Sequence, residues 1–156
     1  MNATIDQAAQ VSDFDGEYVP STSARVREQV SAYEASAGAE GGTLEGKPVV
    51  ILTSVGAKSG KVRKNPVMRI VDGDRYVVVA SAAGSTSHPG WYQNLVAHPV
   101  VRLQDGAQIG EYVAREVTGD EKAHYWAVAE RFWPHFPEYR RLAEDREIPI
   151  LVLQPR

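Results

Sequence analysis

A pattern of short apolar runs broken by a tight glycine turn occurs twice in this chain and constrains its fold most. Residues 67–71 and 76–81 flank Asp72-Gly73-Asp74, and residues 100–103 and 108–115 flank Gln104-Asp105-Gly106. Glycine adopts the positive φ that tight hairpin turns require, so each set reads as an antiparallel hairpin. Pro48-Val49-Val50-Ile51-Leu52-Thr53 reads as a buried strand, and residues 148–153 as a closing one. Six short strands that do not alternate with helices disfavour a doubly wound nucleotide fold. They predict an α+β fold, a six-stranded antiparallel barrel with flanking helices, in which closure removes the exposed sheet edges.

The helices are legible from spacing. Over residues 21–37, Val26, Val30, Tyr33 and Ala37 recur at helical intervals, ended by Gly38. A short helix is expected around residues 91–96, its N-terminus capped by Ser87. Thr118-Gly119-Asp120-Glu121 has capping-box spacing, and Tyr125, Val128, Ala129 and Phe132 form an apolar stripe behind it. Pro134 ends that helix, and Phe136, Tyr139 and Leu142 mark a short aromatic one. Residues 1–20 are expected to be a flexible segment, and residues 21–156 a single domain that includes the first helix.

Composition removes several function classes. A chain of 156 residues buries one core. Its net charge of −3 argues against a general nucleic-acid binder. The absence of cysteine excludes disulfides, thiolate catalysis and Cys-ligated zinc. The four histidines share no ligand spacing, and Glu121-x-x-His124 is half of a di-metal motif whose other half is missing, so no metal is expected. The polar N-terminus has no secretory pattern and no apolar run reaches bilayer length, so a cytoplasmic domain is expected. Packing on the domain is the expected role of the first helix; weak peripheral membrane attachment through it is the minority alternative.

Against this acidic background, Gly56-Ala57-Lys58-Ser59-Gly60-Lys61-Val62-Arg63-Lys64-Asn65-Pro66 gathers four cations, a hydroxyl and an amide directly after a strand. Glycines let backbone N–H groups approach a ligand, and Lys and Arg supply charge, so the loop suits an anion. A solvated hairpin turn explains the same residues equally well. Gly41 to Lys47 matches most of a phosphate-binding loop, but Pro48 replaces the hydroxyl residue and a strand follows where a helix is required. That reading is rejected. A second constellation runs through Ala80-Ser81-Ala82-Ala83-Gly84-Ser85 to His88-Pro89-Gly90-Trp91-Tyr92-Gln93-Asn94-Leu95. Its small residues allow close approach of a flat ligand that Trp91 and Tyr92 could wall; taken alone, a loop with core aromatics is the simpler reading. Ser81, His88 and Asp72 lack the nucleophile elbow that would support a hydrolase triad.

Taken in order, these pieces resemble the deazaflavin (F420)-dependent nitroreductase family. The likeness rests on the cationic segment, Ala80-Ser81, residues 88–95, and Asp145-Arg146-Glu147-Ile148-Pro149, and runs from about Lys47 to the C-terminus. It implies a split β-barrel related to flavin-reductase and FMN-binding barrels, usually a homodimer, that binds F420. It also implies a reductase passing hydride to a small electron-poor acceptor such as a quinone, an enone or a nitroaromatic. By the same likeness Gly56, Lys58, Ser59, Gly60, Arg63 and Asn65 would hold the phosphate and oligoglutamate tail. Pro66, Val67, Met68, Ala80, Ser81, Ala82, Pro89, Trp91 and Asn94 would line the rest of the cofactor. Phe136 and Tyr139 fall in the substrate pocket, and Ser81 and Tyr139 are the catalytic candidates. Three positions depart from the family pattern: His88 stands where Asn is common, Ala82 where some members carry Lys, and Phe136 where relatives often carry Tyr. An FMN-dependent oxidoreductase of the same fold and a non-catalytic F420 carrier are the alternatives.

Overall fold

The computed structural model describes residues 13–156. Eight strands, β1 (Thr43–Leu44), β2 (Lys47–Val55), β3 (Val62–Met68), β4 (Val71–Asp72), β5 (Arg75–Val79), β6 (Val100–Asp105), β7 (Gln108–Glu116) and β8 (Ile150–Pro155), form one antiparallel sheet. Its order is β1-β2-β6-β7-β8-β5-β4, with β3 also paired to β2. The six long strands make the expected six-stranded split barrel, and the two extra strands are two-residue pieces beside β2 and β5. Residues 69 and 70 join β3 directly to β4, so the chain itself bridges the two ends of the curled sheet.

One hairpin differs from its sequence reading. Residues 67 and 68 do not pair with β5. They belong to β3, which runs antiparallel to β2 from Val55↔Val62 to Val49↔Met68. The cationic segment is therefore the turn and first half of a long β2–β3 hairpin, and the Gly73 turn closes only the short β4–β5 pair. Seven paired positions outweigh two, which decides the partner of β3.

Residues 49–52 of β2 and 150–153 of β8 are unbroken apolar runs because both faces of the strands are covered there. Val50, Leu52, Leu151 and Leu153 point into the barrel with Val78, Val101, Leu103 and Trp91. Val49 and Ile51 point outward beneath Val30 and Tyr33 of helix α1 (Ala24–Ser36), whose N-terminus is capped by Ser23. Ile150 and Val152 point outward beneath helices α3 (Gly119–Phe132) and α4 (Phe136–Leu142). Helix α2 (Gly90–Ala97) contributes Trp91 and Leu95 to the barrel interior. The Tyr33 hydroxyl accepts the Gly106 N–H at 2.8 Å and ties α1 to the β6–β7 turn. The apolar face that a membrane would have used is thus occupied inside the domain. Among the described residues, no helix is long and apolar enough to cross a membrane.

Three local expectations are corrected. Pro89, not Ser87, stands at the N-cap of α2. The Thr118 side chain makes no cap, and the Glu121 carboxylate is taken by Arg115 at 2.8 and 2.9 Å, a charge-assisted pair that outcompetes a capping box. Phe132 lies on the exposed side of α3, and Trp126 packs in its place. Residues 1–12 of the expected flexible segment lie outside the described residues, but residues 17–19 are docked. The Val62 N–H donates to the Glu17 carbonyl at 2.9 Å, and the Val19 N–H to the Val62 carbonyl at 3.0 Å.

Candidate functional site

Two cavities meet at Trp91. The first, about 480 Å³, is lined by Gly56, Lys58, Ser59, Arg63, Asn65 and Asn94, with Ala57, Gly90 and Gln93. Its shape comes from the hairpin turn. Gly56 N–H donates to the Lys61 carbonyl at 2.7 Å, and Gly60 N–H to the Gly56 carbonyl at 3.0 Å. A Cβ at Gly56 would stand 2.4 Å from Ser59 Oγ and 3.2 Å from the Lys61 carbonyl oxygen, so a larger residue there would displace the Ser59 side chain from the turn. Gly60 has φ +70, the left-handed region that glycine enters at no steric cost. Asn94 reaches over from α2: its Oδ1 accepts the Ala57 N–H at 3.0 Å and its Nδ2 donates to Ser54 Oγ at 3.2 Å.

The four cations of the segment divide into two pairs. Lys61 lies 3.3 Å from Glu17, and Lys64 Nζ donates to Glu34 at 2.6 Å. Lys64 also caps the Tyr18 ring at 4.9 Å. Among the described residues, Lys58 and Arg63 have no acidic partner, and both face the cavity. An electrostatic site for an anion is thereby left on one side of the hairpin, while the other side is neutralised by the protein itself.

The second cavity, about 190 Å³, is narrower and more apolar. Pro66, Val67 and Met68 of β3 form one wall; Ser81, Ala82 and Pro89 form the next; Phe136 and Tyr139 of α4 close it, and Trp91 is shared. Phe136 is nearly fully buried, edge-on to Trp126, so it is the inner wall and not the mouth. Tyr139 is half-buried, and neither its hydroxyl nor Ser81 Oγ hydrogen-bonds within the protein among the described residues. Both donors are available to a ligand in an otherwise apolar slot.

The chain behind Ser81 is held in an unusual shape. Ala82, Ala83 and Gly84 have φ of 48, 53 and 82 in succession. Arg146 grips this turn: its guanidinium donates to the carbonyls of Ala80, Ser81 and Ser85 and lies 2.8 Å from His88 Nδ1. His88 also packs against the Tyr92 ring, and the Tyr92 hydroxyl donates to Glu116 at 2.6 Å. Burial, followed by the hydrogen bond to Glu116, pushes the Tyr92 phenol up to about 12. The rejected triad is not assembled, since Asp72 accepts the Tyr125 hydroxyl and His88 faces Arg146.

Of the residues expected from sequence, Gly60 and Ala80 line neither cavity. Gly60 shapes the turn, and Ala80 is wholly buried, its N–H donating to the Pro149 carbonyl. All the others border one cavity or both. Leu44, Val79, Ala83 and Trp133 line the narrow cavity without having been expected there. Trp133 is the residue that caps the end of α3 just before Pro134, and its orientation depends on how that helix ends. A larger groove of about 520 Å³ lies between α3 and α4, lined by Lys122, Glu130, Arg140 and Glu147 around Trp126. Its mixed charges and distance from the hairpin make it unsuited to a flat polyanion, and volume alone does not select it.

A cationic cavity of 480 Å³ joined through Trp91 to a flat apolar slot fits a ligand with an anionic tail and a planar ring. Comparison with known proteins points the same way. Residues 25–155 match the family model described as F420H(2)-dependent quinone reductase. An F420H(2)-dependent quinone reductase of Mycobacterium tuberculosis is 32% identical, over 70% of this chain and 74% of that protein. A solved F420-H2 dependent reductase is 41% identical with a TM-score of 0.64, over 69% of this chain and 94% of that one. A second solved structure, described as a domain-swapped dimer, is 37% identical with a TM-score of 0.67, over 82% of this chain and 96% of that one. The chain therefore belongs to the F420H(2)-dependent quinone reductase family.

Proposed function

We propose that this protein is an F420H2-dependent reductase whose cationic cavity holds the cofactor's tail and whose apolar slot holds its ring and the acceptor. The observation that carries this reading is the split of the hairpin cations, which leaves Lys58 and Arg63 without an acidic partner among the described residues, at one end of the paired cavities. Ser59 and Asn65 add donors beside them. Gly56 keeps the backbone close, and Asn94 holds the loop in place. Pro66, Val67, Met68, Ala82, Pro89 and Trp91 supply the flat walls that exclude water from the ring.

When bound, reduced F420 supplies a hydride, which carries both electrons to an electron-poor acceptor. A quinone is the first candidate, as the family's description suggests, with enones and nitroaromatics as further ones. The protein's part is orientation and charge stabilisation. Holding the hydride donor and the acceptor in contact within this slot would be worth several kcal/mol, on the order of measured effective molarities. Ser81 and Tyr139 donate hydrogen bonds to the acceptor oxygen that gains negative charge, and a proton from water completes the reduction. A homodimer is proposed from the dimeric relative, and a cytoplasmic setting from the composition. No membrane role is assigned to α1, whose apolar face is spent on Val49 and Ile51.

Titrating the apo-protein with F420 and, in parallel, FMN, followed by cofactor fluorescence, tests this reading. Saturable binding of F420 but not FMN is expected. Binding of FMN alone would keep the fold and discard the chemistry.

A further inference from the structure

Left-handed backbone at a non-glycine residue costs on the order of 1 kcal/mol or more, and it persists only where the surroundings over-determine it. Ala82 and Ala83 both carry that cost, one after the other, on the wall of the narrow cavity. Glycine relieves only the third position, and there the turn is pressed against α4. A Cβ at Gly84 would stand 2.8 Å from Leu142 Cβ and 3.1 Å from both the Cα and the carbonyl oxygen of Tyr139. The position of the turn therefore fixes the position of Tyr139 as well as that of Ser81.

What over-determines the turn is Arg146. Its Nε donates to the Ser85 carbonyl at 2.9 Å, one Nη to the Ala80 carbonyl at 3.1 Å, and the other to the Ser81 carbonyl at 2.7 Å. The contact with His88 Nδ1 completes the set, and that nitrogen must be unprotonated to accept from a guanidinium. Among the described residues, Arg146 makes no ion pair. Its charge is balanced by carbonyl dipoles across the first and last residues of the loop, the arrangement of a clamp and not of a surface cation. Only a planar fork with several fixed donors reaches three carbonyls and a ring nitrogen at once; an ammonium does not.

We propose that Arg146 is a positioning residue for the reductase site, clamping residues 80–88 so that Ser81 and, through Gly84, Tyr139 face the slot together. This rests on the reading of that slot as the ring and acceptor site. His88 makes the clamp sensitive to pH in this chain. The charged and titratable groups facing it are Arg146 from the segment before β8, Tyr92 from α2 and Glu116 from the end of β7. Burial and then Arg146 lower its affinity for a proton, while Glu116 partly opposes them. The neutral ring is the form the fold prefers. The clamp is intact above the ordinary imidazole value of 6.5 and is lost as pH falls below it through the folded value. An Asn at this position accepts the same hydrogen bond without titrating.

The test compares wild type, Arg146→Lys and His88→Asn as full chains, by amide hydrogen exchange of the apo-proteins, thermal melting and F420 titration. Arg146→Lys is expected to melt cooperatively, to lose about tenfold or more of its exchange protection over residues 80–88, and to bind F420 about tenfold more weakly. Wild-type protection over those residues is expected to fall below pH 6.5, and His88→Asn to lack that fall. Unchanged protection in Arg146→Lys overturns the clamp. Should that variant not fold, equal pH dependence of protection in wild type and His88→Asn overturns it instead. The exchange readout needs no cofactor, so a wild type that fails to bind F420 refutes the functional reading while leaving the clamp to be judged by exchange alone.

Discussion

Asn94 Oδ1 accepts the Ala57 N–H at 3.0 Å across 37 positions of sequence, and this bond fixes the cationic hairpin turn to helix α2. The same amide donates to the buried Ser54 hydroxyl, so both of its ends are used inside the protein. Asn94→Ala would leave an N–H and a hydroxyl unpaired in a partly buried place. The expected cost is about 1–3 kcal/mol of stability, together with weaker F420 binding as the loop loosens. A thermal melt beside a cofactor titration checks both, and a variant that loses neither would assign Asn94 no structural part.

The division of the hairpin cations yields a sharper prediction. Arg63→Ala and Lys58→Ala should each weaken F420 binding about tenfold or more, as expected for losing a charged hydrogen bond worth about 1.5–3 kcal/mol. Lys61→Ala and Lys64→Ala should leave affinity within about twofold, because their charges are already spent on Glu17 and Glu34. Equal losses in all four variants would mean that the cavity attracts anions only through its general field.

Tyr139→Phe should lower kcat by about 10- to 100-fold with little change in KM, the pattern of a donor whose contribution grows as charge develops on the acceptor. The melting temperature should stay near that of wild type, since the hydroxyl makes no hydrogen bond among the described residues. A large loss of stability would place Tyr139 in the core instead. Steady-state kinetics and a melt on the same preparation separate the two.

Tyr92 supplies a pH prediction with a definite sign. Its folded value lies near 12 against an ordinary 10.0, so the fold favours the protonated phenol. The stability it contributes is fully present below pH 10 and is lost as pH rises toward 12. In an ultraviolet phenolate titration, Glu116→Gln should shift one late-titrating tyrosine down toward the ordinary value. If the titration of that variant overlays wild type, the Tyr92–Glu116 bond does not persist in solution.

Much of the barrel is legible in the sequence because its signals are local. The Gly106 turn, the apolar runs of β2 and β8, and the spacing of Val30 and Tyr33 each follow from burial on one or two faces. Register between distant strands is not local, and so β3 was paired with β5 in the sequence reading, when seven positions of β2 were the stronger partner. Glu121 shows the same limit, since Arg115 outbids a cap that spacing alone favours. The residues proposed to hold the cofactor stood out as a basic loop in an acidic chain and through family likeness. Which cations remain free depended on Glu17 and Glu34, which no spacing connects to the hairpin. Arg146 lay within a quoted motif, but its role as a clamp appears only once the carbonyls of residues 80, 81 and 85 turn toward it.

The central claim is catalytic reduction by F420H2, and the most direct measurement is multiple-turnover oxidation of F420H2 with a soluble quinone. The account predicts many turnovers per protein molecule, with one quinone reduced for each F420H2 consumed and the rate lowered in Tyr139→Phe. Saturable binding of F420H2 with no turnover on quinone, enone or nitroaromatic acceptors would contradict it and leave a carrier in place of an enzyme.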